Sequence, residues 1–250
     1  MIIATDAEHE AFQKKQLAAL RQWLDGASDK DPSYHAVSRA LELARLIHNG
    51  LRKDGRTWEF THQIEMCLHA TTLPNIRDLP RLLITILCHD MVEDYALLLE
   101  VIERLFDATV REAVDCLTKV IPVFGETRTI DISHLTPDNT PLVITIGVPG
   151  TEIAQNKRDE HALFARMALN LLASLAKAID RANNQRSMGG VFGRDKQVSY
   201  VTFTREMILP MLKLARVNFP DQKRAYENLK HFLVSQERLV LSWAAMPMAA

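Results

Sequence analysis

The stretch Leu82-Leu83-Ile84-Thr85-Ile86-Leu87-Cys88-His89-Asp90-Met91-Val92-Glu93-Asp94 passes from an almost wholly apolar run into four ionisable side chains. Such a run reads as a helix hidden on every side. Asp78 is its N-cap and Pro80 sits in its first turn, so the helix is expected to run through Leu83, Ile86 and Leu87 to Glu93. Burying charge at its end is costly unless the groups pair or ligate a metal. On one helix His89 and Glu93 stand four apart, as do Asp90 and Asp94, so all four crowd adjoining faces. An imidazole and a carboxylate from adjacent residues can reach one divalent cation, which leaves the next-turn carboxylates to handle its water.

Helical periodicity continues on both sides. Residues 8–25 carry Phe12, Leu17, Leu20 and Leu24 on one face, and 33–48 carry Val37, Leu41, Ala44 and Ile47. Further amphipathic segments cover 97–106, 108–119, 158–186, 199–217 (bent at Pro210) and 222–243. The exception is 121–151. There Arg128-Thr-Ile-Asp-Ile-Ser and Pro141-Leu-Val-Ile-Thr-Ile-Gly flank the turn-rich Thr136-Pro-Asp-Asn-Thr, which predicts a β-hairpin insertion around 128–146, with a flexible lid as the alternative. The fold expected is an all-α bundle in one domain over 1–250, its core motifs at 35–190 and C-terminal helices 199–243 packed against it.

The 250 residues are 47% hydrophobic and 24% charged, as in ordinary globular proteins, and the formal net charge is −1. That balance gives no bulk attraction to a nucleic-acid polymer or an anionic membrane. No run reaches about 18 apolar residues, so no membrane span is expected. Three cysteines without CxxC spacing, and a start without the basic and apolar regions of a leader, suit a reducing, cytoplasmic setting.

Two more polar clusters interrupt apolar helices. His48-Asn-Gly-Leu-Arg52-Lys53-Asp-Gly55-Arg56-Thr-Trp58-Glu-Phe-Thr-His62 is a basic, glycine-bearing loop that ends in a histidine. Lys177-Ala-Ile-Asp180-Arg181-Ala-Asn-Asn184-Gln-Arg186 follows the apolar run 168–176. Singly, His62 reads as a core or capping histidine and Asp180 as a partner for Arg181 or Arg186. Together with His89 and Asp90 they supply two imidazoles and two carboxylates, a set that suits Mn²⁺, Fe²⁺ or Zn²⁺.

The order His…His-Asp…Asp resembles the signature of HD-domain hydrolases, and the surroundings narrow the resemblance. His48-Asn-Gly-Leu-Arg52-Lys53-Asp-Gly55 is similar to the H-x-G-Q-x-R-K-x-G pattern of RelA/SpoT-type hydrolase domains. His89-Asp90-Met-Val-Glu93-Asp94 resembles their H-D-x-x-E-D, Leu117-Thr118-Lys119 their V-T-K, and Lys177 to Arg186 their K-x-x-D-R-x-x-N-x-R. The likeness spans about 35–190 and points to the small, hydrolase-only members.

The resemblance implies an HD-domain helical bundle with one Mn²⁺ on His62, His89, Asp90 and Asp180, and with Glu93 and Asp94 positioning or activating the attacking water. It implies that Arg52 stacks on a guanine, that Lys53 faces phosphate and that Asn184 binds near ribose or phosphates, while Arg56 and Lys119 offset phosphate charge. The activity implied is removal of the 3′-pyrophosphate of the alarmone ppGpp, a small anionic nucleotide. The alternatives are an HD phosphohydrolase acting on ppApp or a dNTP, and a nucleotide-binding module without catalysis.

Overall fold

All seven residues from Leu82 to Cys88 are buried, and the helix they form packs against four others. The computed structural model describes residues 6–52, 55–189 and 191–245. In chain order the helices before the insertion are α1 (Asp6–Ser28), α2 (Tyr34–Ile47), α3 (Glu59–Thr72) and α4 (Leu79–Cys88). The short α5 (Met91–Tyr95), α6 (Leu99–Leu105) and α7 (Ala108–Leu117) follow. Next come strands β1 (Val120–Phe124), β2 (Thr127–Asp131), β3 (Val143–Gly147) and β4 (Glu152–Lys157). The chain closes with α8 (Glu160–Ala168), α9 (Leu171–Ser187), α10 (Arg194–Phe203), α11 (Leu209–Asn218) and α12 (Lys223–Ala245). The fold is thus all-α with a small β insertion. Helix α4 lies at its centre, against α2, α3, α7 and α9, and one apolar core runs from Leu20 to Leu233.

Helix α4 starts as expected, with the Asp78 carboxylate accepting from the Arg81 amide. It stops at Cys88 rather than at Glu93. His89 Nδ1 donates to the Ile86 carbonyl oxygen at 2.7 Å, the acceptor that a continuing helix would offer to the Asp90 amide. The chain resumes one turn later as α5, which ends on Ala96 in the left-handed region (φ 51°).

The segment expected to be helical over 158–186 is two helices that meet at 116°. The break has a local cause, because Asn170 is extended and its side chain caps α9 by accepting from the Ala173 amide. Pro210 lies in the first turn of α11, directly after a wide π turn at Thr204–Ile208. A proline has no amide to give to the preceding turn, and the wider turn absorbs that loss.

The insertion is longer than 128–146. Val120 to Phe124 pairs antiparallel with Glu152 to Lys157, and Thr127 to Asp131 with Val143 to Gly147. Bonds from Gly125 N to Thr151 O (2.7 Å) and Val148 N to Glu126 O (3.0 Å) join the two ladders into one bent ribbon. At the bend a Cβ on Gly147 would fall 1.9 Å from the Phe124 ring, so only glycine fits. One end of the ribbon is anchored, with Ile132, Leu135, Ile144 and Ile146 in the main core, whereas β4 is exposed throughout.

Candidate metal centre

Three helices deliver the donor atoms. His89 stands at the end of α4, His62 in the first turn of α3, and Asp180 in the middle of α9. All three are buried, and one ligand-type atom from each lies within 4.8 Å of the others. His62 Nε2 is 3.3 Å from Asp180 Oδ1, and the two imidazole centroids are 5.6 Å apart. Asp90, adjacent in sequence, puts Oδ2 2.8 Å from His89 Nε2.

Both rings are anchored through Nδ1, His89 on the Ile86 carbonyl (2.7 Å) and His62 on Asn183 Oδ1 (2.7 Å). Each therefore turns Nε2 toward the carboxylates, and His89 Nε2 is buried beside Asp90 Oδ2. A sheltered imidazole nitrogen beside a second imidazole and two carboxylates is a donor set that fits a first-row divalent cation. The group His62, His89 and Asp180 could hold such an ion.

The charges are strongly coupled. Burial drives the His89 imidazolium toward losing its proton, but Asp90 and Asp180 more than offset this and raise its pKa to about 9. Burial raises Asp90 too, yet His89 wins and holds it at about 2. Asp180 lies well below the usual carboxylate range: burial opposes this, and Lys177, His62 and His89 outweigh it. Its oxygens accept from Lys177 Nζ (3.0 Å) and Asn184 Nδ2 (2.5 Å).

Above this cluster lies a cavity of about 670 Å³, lined by Asp90, Asp94, Asp180 and Asn184 among others. Arg52 also lines it and donates from Nη2 to Asn184 Oδ1 at 2.9 Å, so the basic loop, Asn184 and Asp180 form one chain of contacts. Asp94 is pushed up to about 8 by burial and by the Asp90 charge.

Glu93 is placed differently. Its Oε1 accepts from the backbone amides of Lys119 and Val120, and its side chain lines an adjoining cavity of about 290 Å³ together with Lys119. Burial and Asp90 raise the Glu93 pKa. Lys119 Nζ pairs with Glu160 at 2.5 Å, and Arg56 Nε reaches Asp6 at 2.7 Å; neither lines the larger cavity. Lys53 lies outside the described residues.

Some side chains of the site carry no signal in the sequence. Lys196 and Tyr200 line the larger cavity from α10, and Gln13 from α1, each isolated on an amphipathic segment. His48 is the exception, since it opens the basic loop; it is buried, packs edge-on to Tyr95 (5.0 Å) and adjoins Gln63.

No protein-family model and no curated protein matches the chain. The functional reading therefore stands on the site and on the motifs alone. Among the described residues no single helix is long and apolar enough to cross a membrane.

Proposed function

We propose that the chain is an HD-type metal-dependent phosphohydrolase that removes the 3′-pyrophosphate of ppGpp or a close relative. The observation that carries this is the convergence of His62, His89 and Asp180, from three separate helices, at the foot of a cavity whose wall includes Arg52 and Asn184. Asp90, 2.8 Å from His89, is the fourth ligand in this reading, and Mn²⁺ the ion. A divalent cation held there supplies positive charge to the phosphoryl oxygen and lowers the pKa of bound water toward neutrality.

The chain's own groups do the rest. Asp94 faces the cavity, and with its pKa raised by burial it is the carboxyl group placed to hold and release a proton there. Glu93, tied through Oε1 to the Lys119 and Val120 amides, orients the turn that carries Asp94. Lys177 lines both cavities and offers positive charge to a phosphate from beside Asp180. Arg52 presents a planar cation for stacking on a purine. A cytoplasmic setting suits this reading, with Cys67, Cys88 and Cys116 all buried free thiols.

The test is a substrate panel. Purified protein with Mn²⁺ is incubated with ppGpp, ppApp and dNTPs, and the products are separated. Release of pyrophosphate from an alarmone supports the proposal. Triphosphate release from dNTPs would move the chain to another HD activity, and no product from any of them would leave a binding module.

A further inference from the structure

His62 and Glu65 lie three residues apart on α3, and Asn183 and Arg186 three apart on α9, so each pair presents one face of its helix to the other. Asn183 is 2% exposed and sits between them. Its Oδ1 is 2.7 Å from His62 Nδ1, and its Nδ2 donates to Glu65 Oε2 at 2.9 Å. Glu65 takes two further donors, Gln16 Nε2 from α1 on Oε1 (3.0 Å) and Arg186 Nη2 on Oε2 (2.8 Å). Burial pushes the Glu65 carboxyl up, but these donors prevail and leave it below its ordinary range.

The geometry leaves one hydrogen-bond assignment. An ionised carboxylate only accepts, so the amide nitrogen of Asn183 must face Glu65 and its oxygen must face His62. That oxygen also only accepts, so the proton of a neutral His62 ring must sit on Nδ1. The lone pair is then on Nε2, the atom that points toward Asp180 at 3.3 Å. A free imidazole side chain favours the opposite tautomer.

We propose that Asn183 and Glu65 are positioning residues that lock His62 as its Nδ1–H tautomer and so present Nε2 as a ready metal ligand. The use made of that lone pair rests on the metal-dependent reading above; the tautomer itself does not. Outer hydrogen-bond partners of ligating histidines are typically worth about 10- to 100-fold in metal affinity. Asn183 lines a smaller cavity of about 300 Å³ and not the one that Asp90 and Asp180 face, so it reaches the candidate site only through His62 and Glu65.

The experiment is long-range ¹H–¹⁵N NMR on the metal-free, substrate-free full chain at pH 8.5, paired with Mn²⁺ and Zn²⁺ titrations. Wild type is expected to show a protonated Nδ1 at His62. Asn183→Leu removes the acceptor and is expected to populate Nε2–H and weaken both metals about tenfold or more. Asn183→Asp restores an acceptor and should return the wild-type tautomer. An unprotonated Nδ1 in wild type overturns the proposal, as does a folded Asn183→Leu that keeps both the tautomer and the affinity. Should neither variant fold, the wild-type tautomer alone decides. Absence of hydrolysis would sink the enzymatic reading and leave this result standing.

Discussion

Arg128, on strand β2, donates from Nη2 to the carbonyl oxygen of Ile47 at 3.1 Å, a bond across 81 residues that ties the inserted ribbon to the last turn of α2. The same nitrogen reaches Asn49 Oδ1 at 3.4 Å. The ribbon thereby contacts the start of the loop that carries Arg52. Deleting 128–146 would strip Ile132, Ile144 and Ile146 from the core, so a point substitution is the cleaner probe. Arg128→Ala is expected to speed amide exchange at 49–51 and raise KM for an alarmone several-fold, with kcat nearly unchanged. Unchanged exchange in the loop would mean the ribbon does not brace it.

Asp94 and Glu93 differ in what holds them, and their variants should differ too. Asp94→Asn removes a proton-exchanging group from the cavity and is expected to lower kcat by about 10²- to 10⁴-fold with metal still bound. Glu93→Gln keeps an oxygen for the amides of Lys119 and Val120, so its loss should be at least tenfold smaller. Steady-state kinetics with metal analysis of each variant checks this order, and the reverse order would return the proton to Glu93.

Burial holds the His48 imidazole neutral, with its pKa lowered to about 3 from 6.5. Below pH 6.5 the unfolded chain gains a proton that the folded chain refuses, so stability falls as pH drops from about 6.5 toward 3. Between pH 7 and pH 5 this one group accounts for about 2 kcal/mol. Urea unfolding of wild type and His48→Gln at both pH values isolates it: wild type should lose about 2 kcal/mol more than the variant. Equal losses would mean that His48 is protonated in the fold.

Arg52 bonds to Asn184 at one edge, and its guanidinium plane is the stacking surface assigned to the base. Stacking on a π face is indifferent to which purine is bound and is worth about 1–3 kcal/mol per base. Arg52→Ala should weaken guanine and adenine alarmones alike, by about tenfold or more, in equilibrium binding. Unchanged affinity for both would remove Arg52 from the base site.

What the sequence made legible was whatever local chemistry alone decides. The apolar run Leu82–Cys88 could only be a central helix, and its cap at Asp78 follows from backbone rules. The break at His89 was hidden because it depends on a side chain taking a backbone carbonyl. The break at Asn170 had a readable signal, an asparagine placed to cap the apolar run that follows. The reach of the ribbon was hidden because exposed, polar β4 pairs only by virtue of β1. In the site, the clustering of His62, His89 and Asp180 was legible from the motif order rather than from any one residue, since Asp180 lies in mid-helix and His62 alone reads as a core histidine. The partnership of Asn183 with Glu65 was not, since it joins residues 118 apart that look like ordinary surface polar groups.

The most direct measurement is a titration of Mn²⁺ into chelator-treated protein, following bound metal and pyrophosphate release from ppGpp in the same samples. Release should rise in proportion to bound ion and level off at one ion per chain, and His89→Ala should bind little metal and release no pyrophosphate. Full-rate release in the presence of chelator, or one tightly bound ion per chain with no release at any metal concentration, would contradict metal-dependent hydrolysis at this site.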